Sequence, residues 1–181
     1  MFENVRRDLS RACNGNQGGK VGFLPLLREL FNPGTQAILV YRFGHWVDQM
    51  VPGIRHLGRL VHFLLQYFFA WRVGIFIHVK ANIGPGLMIH TWGGGVFLPN
   101  TTIGRDLTIV GGGILFDFST RGIGDEVTIG AGTKVINRAR LGNRVRTGPN
   151  SVVQEDVSDD CIVFGNPGRV IGPLPRTKRS A

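Results

Sequence analysis

Acidic residues are scarce in this chain: 12 Asp and Glu stand against 21 Lys and Arg, a formal net charge of +9. Charge of either sign is sparse, at 18% of 181 residues, whereas 43% are hydrophobic. That balance excludes a disordered, self-repelling chain and leaves ample material for a core. Only two cysteines occur, Cys13 and Cys161, too few for a disulfide scaffold and suggestive of a reducing compartment. The opening Met1-Phe2-Glu3-Asn4 has no cationic stretch leading into an apolar run, so no secretory signal is read and the cytoplasm is the expected location. No apolar run reaches the roughly 20 residues that a membrane span needs. The most apolar stretch, Val61 to Ile77, is interrupted by His62, Gln66 and Arg72. It reads as a buried or subunit-contacting helix, with peripheral contact to the inner membrane face as the alternative.

Other chemistries are missing too. No helix-turn-helix, zinc-finger spacing or aromatic RNA-binding pattern occurs, so the basic balance points to a polyanionic small molecule or an anionic surface ahead of nucleic acid. The five His are scattered and the two Cys lie far apart, so no metal site is expected. Gly93-Gly94-Gly95 and Gly111-Gly112-Gly113 lack the Lys-Ser/Thr that would make either a phosphate loop. They read as turns or close-packing points.

What is abundant is glycine, at 27 residues without a period of three, which indicates many tight turns. Up to residue 74 the chain reads as helix. Asn32-Pro33-Gly34 is a breaker and Thr35 a candidate cap for a helix carrying Ile38, Tyr41, His45 and Trp46. Val51-Pro52-Gly53 stops that helix, another runs from about Ile54 to Arg72, and an earlier one covers Phe23 to Phe31.

Beyond residue 75 the period becomes six. Ile77, Ile83, Ile89, Phe97, Ile103, Ile109, Leu115, Ile123, Ile129, Val135, Leu141, Thr147 and Val153 form one series, apolar at every position but Thr147. Two steps, Ile89 to Phe97 and Leu115 to Ile123, are eight residues long. Gly84, Gly104, Gly124, Gly130, Gly142 and Gly148 follow series members directly, where Gly is expected to relieve a turn. Small or aliphatic residues recur four positions after series members, as at Ala81, Leu107, Val127, Thr133 and Val145. Neither helix nor alternating strand produces this pattern; a hexapeptide repeat does. Three hexads make one triangular coil with the aliphatic residue pointing inward, and stacked coils pair strand on strand. The fold class is therefore α+β: an N-terminal helical domain over 1–74, a left-handed parallel β-helix over 75–172 and a basic tail over 173–181.

The segments from Ile77 to Ile89, Ile129 to Val135 and Gly165-Asn166-Pro167-Gly168-Arg169-Val170-Ile171, with the helix carrying Tyr41-Arg42-Phe43-Gly44-His45-Trp46, resemble the serine O-acetyltransferase family, including its relatives in polysaccharide gene clusters. The resemblance runs from about residue 30 to 172. It implies acetyl-CoA as co-substrate, a small hydroxyl acceptor, no metal, and a homotrimer or dimer of trimers with the cofactor lying between neighbouring prisms. Flat prism faces and the apolar helix favour the same assembly. Ala131, Arg146 and Arg169 align with positions near the cofactor in that family. Arg138, Arg140, Arg144 and Lys134 read as solvated.

Acetylating a hydroxyl with a thioester needs a base, for which imidazole is suited by its ordinary pKa of roughly 6.5. In this register the family's Asp-His pair falls on His90 and Thr91, and its second His falls near Thr120. A threonine hydroxyl is no base at neutral pH. His90 is therefore the expected base, presented by the eight-residue step after Ile89, with Asp117 as an orienting partner across a subunit contact. His78 is expected to be structural, and Trp92 to line the acceptor pocket or an interface. Three functions follow: a serine acetyltransferase, a sugar or exopolysaccharide-precursor O-acetyltransferase, or a non-catalytic trimeric scaffold. The tail ends Arg176-Thr177-Lys178-Arg179-Ser180-Ala181, without the terminal Ile by which serine acetyltransferases dock into the cysteine-forming enzyme, so that partner is not implied.

Overall fold

The computed structural model describes residues 2–15, 21–90, 96–98, 101–112, 115–116 and 122–174. Among them the helices α1 (Phe2–Asn14), α2 (Phe23–Leu30), α3 (Pro33–Val47) and α4 (Pro52–Val73) precede the strands. The helix α3 begins one breaker earlier than expected. Asn32 is its cap, accepting a hydrogen bond from Gly34 N–H at 2.9 Å, and Pro33 opens the first turn. Thr35 is buried inside that turn instead of capping it. Proline fits there because its missing N–H lacks an intrahelical partner anyway. Pro52 likewise starts α4, which Gly74 ends in the left-handed conformation.

The strands then follow in short steps: β1 (Ile75–Ile77), β2 (Asn82–Ile83), β3 (Met88–Ile89), β4 (Val96–Leu98), β5 (Thr102–Ile103), β6 (Thr108–Ile109), β7 (Leu115–Phe116), β8 (Gly122–Ile123), β9 (Thr128–Ile129), β10 (Lys134–Val135), β11 (Arg140–Leu141), β12 (Arg146–Thr147), β13 (Val152–Val153), β14 (Cys161–Phe164) and β15 (Arg169–Pro173). Up to β13 every third strand pairs in parallel, and β14 then stacks on β12. The first sheet is β1-β4-β7-β10-β13, the second β2-β5-β8-β11, and the third runs β3-β6-β9-β12-β14 before β15 returns antiparallel. This is a parallel β-helix of triangular section. Its core is a column of the expected inward residues, with Ile109, Ile129, Val135 and Leu141 fully buried and Ala81, Leu107, Val127, Val145 and Ser151 beside them.

The register corrects two members of the series. Ile77 lies opposite Leu98, which is fully buried, so Leu98 and not Phe97 is the inward residue of that coil. Val135 lies opposite Phe116, not Leu115. The steps from Ile89 to Leu98, from Ile109 to Phe116 and from Phe116 to Ile123 all exceed six residues, so counting by six places each strand too early.

The glycines after the aliphatic residue serve stacking and not the turn. None of the six has a left-handed backbone; a Cβ on Gly124 would come within 2.7 Å of the backbone of Gly142 and Asn143 in the next coil. The left-handed residue comes two positions later, at Gly86, Asp106, Glu126, Gly132, Arg144 and Asn150. Side chains at that corner form a ladder. Asp125 Oδ1 accepts from Arg105 N–H, Asn143 Oδ1 from Asp125 N–H, and Asp159 Oδ1 from Asn143 N–H, each within 2.9 Å.

The helices close the open end of the prism. Tyr41, fully buried, donates to Ala81 C=O at 2.6 Å, and Arg42 donates to Ile83 C=O and Gly84 C=O at 2.7 Å each. Arg42 also pairs with Asp8 at 2.9 Å, and Asp8 accepts from the N–H groups of Gly86 and Leu87. Arg11 donates to Gly86 C=O and to Thr108 Oγ1. The side chains that α1 buries are thus Asp8 and Arg11, which no hydrophobic period reveals.

On the other side of α3, α4 lays His62 against Gly44. His62 Nε2 is buried without a hydrogen-bond partner among the described residues.

Three outcomes are expected. Arg42→Ala leaves the Asp8 carboxylate buried without its cation and costs about 3–5 kcal/mol, measurable by chemical denaturation. Gly124→Ala forces adjacent coils apart and costs about 1–3 kcal/mol in the same measurement. Burial lowers the His62 pKa, partly offset by Asp48. The unfolded chain then holds the extra proton, so stability falls as pH drops below the ordinary imidazole value. Melting curves of His62→Leu should show a shallower decline with acid than the parent.

Candidate functional site

The edge where the third sheet turns into the first gathers most of the sequence-derived candidates. Here the residue just after each strand stacks on its counterpart in the next coil. His90 N–H donates to Ile109 C=O at 2.9 Å, Val110 N–H to Ile129 C=O at 3.0 Å, Gly130 N–H to Thr147 C=O at 3.1 Å, and Gly148 N–H to Val163 C=O at 2.8 Å. The column therefore reads His90, Val110, Gly130, Gly148, Phe164. Coil spacing of about 4.8 Å puts His90 roughly 10 Å from the level of Gly130.

Side chains thin out along this edge. His90 and Val110 are exposed, and then come two glycines, Gly130 buried against the next coil and Gly148 half-buried. Phe164, 52% exposed, lays its ring where a Cβ on Gly148 would stand. Ala131 follows Gly130 in the corner, half-buried, with its carbonyl accepting from Asn150 N–H at 2.7 Å. Arg146 in β12 and Arg169 in β15 are both exposed and belong to the sheet that feeds the edge. Arg146 lies opposite Ile162, and Arg169 opposite Phe164. Two exposed guanidinium groups on the sheet that feeds this edge suit a polyanionic ligand.

The remaining arginines differ from these. Arg144 is held bidentately by Asp160, with both contacts at 2.6 Å, which raises its pKa further. Lys134, Arg138 and Arg140 are exposed, as expected of a solvated face. His78 is half-buried, and its Nδ1 accepts from Lys80 N–H at 3.1 Å, a local turn contact in keeping with a structural role.

His90 also borders a cavity of about 40 Å³, enough for a water molecule, lined by Asp8, Glu29, Asn32, Thr35 and Met88. Glu29 accepts there from Asn32 Nδ2 at 3.2 Å and from Thr35 Oγ1 at 3.4 Å. Glu29 and Asp8 carry no sequence signal for this site. They reach it only because α1, α2 and α3 converge on β3.

Asp117, Thr91, Trp92 and Thr120 lie outside the described residues, as do Gly93-Gly94-Gly95.

Comparison with known proteins agrees with the architecture. The chain is 34% identical to the serine acetyltransferase of Synechococcus elongatus over 183 residues, covering 94% of this chain and 69% of that protein. It is 35% identical to the serine acetyltransferase of Mycobacterium tuberculosis over 146 residues, covering 77% of this chain and 61% of that one. The crystal structure of Neisseria gonorrhoeae serine acetyltransferase in complex with serine superposes with a TM-score of 0.74 at 26% identity, covering 94% of this chain and 69% of that chain. No family model matches the chain. It spans between 61% and 69% of the length of these two curated relatives. Identity over nearly the whole chain, together with helices that clasp a hexapeptide prism, places this protein in the serine acetyltransferase family.

Proposed function

We propose that the chain moves the acetyl group of acetyl-CoA to the hydroxyl of a small acceptor, with serine the first candidate. Family membership carries this reading, and the glycine-floored edge between His90 and Phe164 supports it. In the proposed complex CoA lies along that edge beside Ala131. Its phosphates meet Arg146 and Arg169, and its thioester reaches toward His90. The acceptor oxygen attacks the thioester carbonyl; the new C–O bond forms and the C–S bond breaks. The His90 imidazole takes the hydroxyl proton and returns it to the departing thiolate.

Asp117 is proposed to orient His90 from a neighbouring protomer. Cyclic association of three prisms is the arrangement that would bring one protomer's residue to another's. The outward positions of the strands are largely polar, among them Asn82, Thr102, Lys134, Arg140 and Arg146, so the large exposed apolar side chains gather on α2 and α4 instead. The proposed trimer thus rests on completing the site.

A sugar hydroxyl is the second acceptor class. It is favoured by the register that puts His90 and Thr91 where the family has Asp and His, which alters the acceptor side while the cofactor side is kept.

Thiol release from acetyl-CoA, measured against serine and a panel of sugars, separates the readings. Consumption with serine alone supports the first, consumption with sugars alone the second, and none with any acceptor favours a scaffold. His90→Ala is expected to lower kcat roughly 100-fold or more with acetyl-CoA affinity nearly intact. Arg169→Ala is expected to weaken acetyl-CoA binding instead. Full kcat in His90→Ala would remove His90 as the base.

A further inference from the structure

We propose, on the reading that acetyl-CoA is the co-substrate, that the Phe164 ring is the platform on which the adenine of CoA stacks, so that this side chain selects the nucleotide-bearing thioester. In β14 Val163 points inward, 1% exposed, while Phe164 stands outward with 52% of its surface in solvent. Its seat is built for it. At Gly84, Gly104, Gly124, Gly130 and Gly142 an added Cβ would strike the backbone of the next coil. At Gly148 the three atoms nearest to such a Cβ all belong to the Phe164 ring. Glycine there gives the ring its resting place. The backbone around that seat is tied down too: Gly148 N–H donates to Val163 C=O at 2.8 Å, and Gly165 N–H to Ser151 Oγ at 3.2 Å. A ring packed on one side and open to solvent on the other is a stacking surface for a base.

Charge and distance identify the occupant. Phe164 lies directly opposite Arg169 in the antiparallel β14–β15 pair, so the two side chains share a face, with Cβ atoms roughly 5 Å apart. Arg146 lies opposite Ile162, two residues before Phe164, and so belongs to the same face. Both arginines are exposed. A ring flanked by two guanidinium groups fits a planar base that carries phosphates; an acyl chain or a neutral acceptor would leave both cations unused. Four coil steps of about 4.8 Å put Phe164 roughly 19 Å from the level of His90. The pantetheine arm, extended at peptide-like dimensions, covers roughly 15 Å of that span and the diphosphate the rest. With the thioester at His90, the aromatic end of the cofactor arrives at Phe164.

The test is calorimetric titration of the full chain with CoA and with 4′-phosphopantetheine, which lacks the adenosine. The parent is expected to bind CoA about tenfold or more tightly than phosphopantetheine. Phe164→Ala should close most of that gap by lowering CoA affinity about tenfold or more, with the melting curve and sedimentation unchanged, while Phe164→Tyr keeps the parent affinity. Unchanged CoA affinity in Phe164→Ala overturns the platform, as does a loss in Phe164→Tyr equal to that in Phe164→Ala. A change of oligomer size in Phe164→Ala overturns it too, by showing that the ring packs against a second copy. A parent that binds both ligands equally well leaves acetyl-CoA as co-substrate and removes only the platform. A parent that binds neither removes the acetyl-CoA reading and the platform with it.

Discussion

The structure depends on how the open end of the β-helix is closed. A parallel β-helix satisfies its backbone by stacking, so its first coil has carbonyl and amide groups with no coil beneath them. Here the side chains of α1 and α3 take the place of the missing coil. Tyr41 and Arg42 donate to the carbonyls of Ala81, Ile83 and Gly84, while Asp8 accepts from the amides of Gly86 and Leu87. The Arg42–Asp8 pair binds the two helices to each other as they bind the coil. Both side chains are only 3% exposed, so the contact is rigid and intolerant of losing one partner.

That closure also shapes the candidate site. Gly34, at the start of α3, packs directly on Ile89, the residue before His90. The cavity beside His90 is consequently walled by α1, α2 and α3 on one side and by β3 on the other. The return strand β15 finishes the prism at its far end and carries Arg169 on the sheet that leads to the same edge. The helical closure and the return hairpin thus bracket one edge, with His90 toward one end and Phe164 at the other.

Two kinds of glycine, alike in the sequence, do different work. Gly84, Gly104, Gly124 and Gly142 permit the coils to approach, because any Cβ there would strike the next coil's backbone. Gly86 and Gly132 occupy left-handed corners, a position the chain elsewhere gives to Asp, Glu, Arg or Asn. On the candidate edge Gly148 makes room for a side chain as well, because the Phe164 ring occupies the place a Cβ would take.

The repeat was legible in the sequence because burial inside a triangular coil imposes a period on every coil alike. Ile103, Ile109, Ile129, Leu141 and their small companions follow from spacing alone. At Phe97 and Leu115 spacing points one residue too early, because steps that depart from six break the count and only pairing restores it. The α3 motif Tyr41-Arg42 was visible as a resemblance, but its physical task was not. An adjacent tyrosine and arginine on a helix do not announce that they cap a β-helix until the coil they face is in place. Asp8, Arg11 and Glu29 left no trace in any periodicity, since polar side chains buried through long-range hydrogen bonds have no local pattern. The sequence by itself thus determined the prism, its inward residues and the basic side chains of its exposed faces. Only the tertiary structure decided which corner those faces share, what closes the end, and that the outer side of α4 is apolar, because each depends on contacts between residues far apart in the chain.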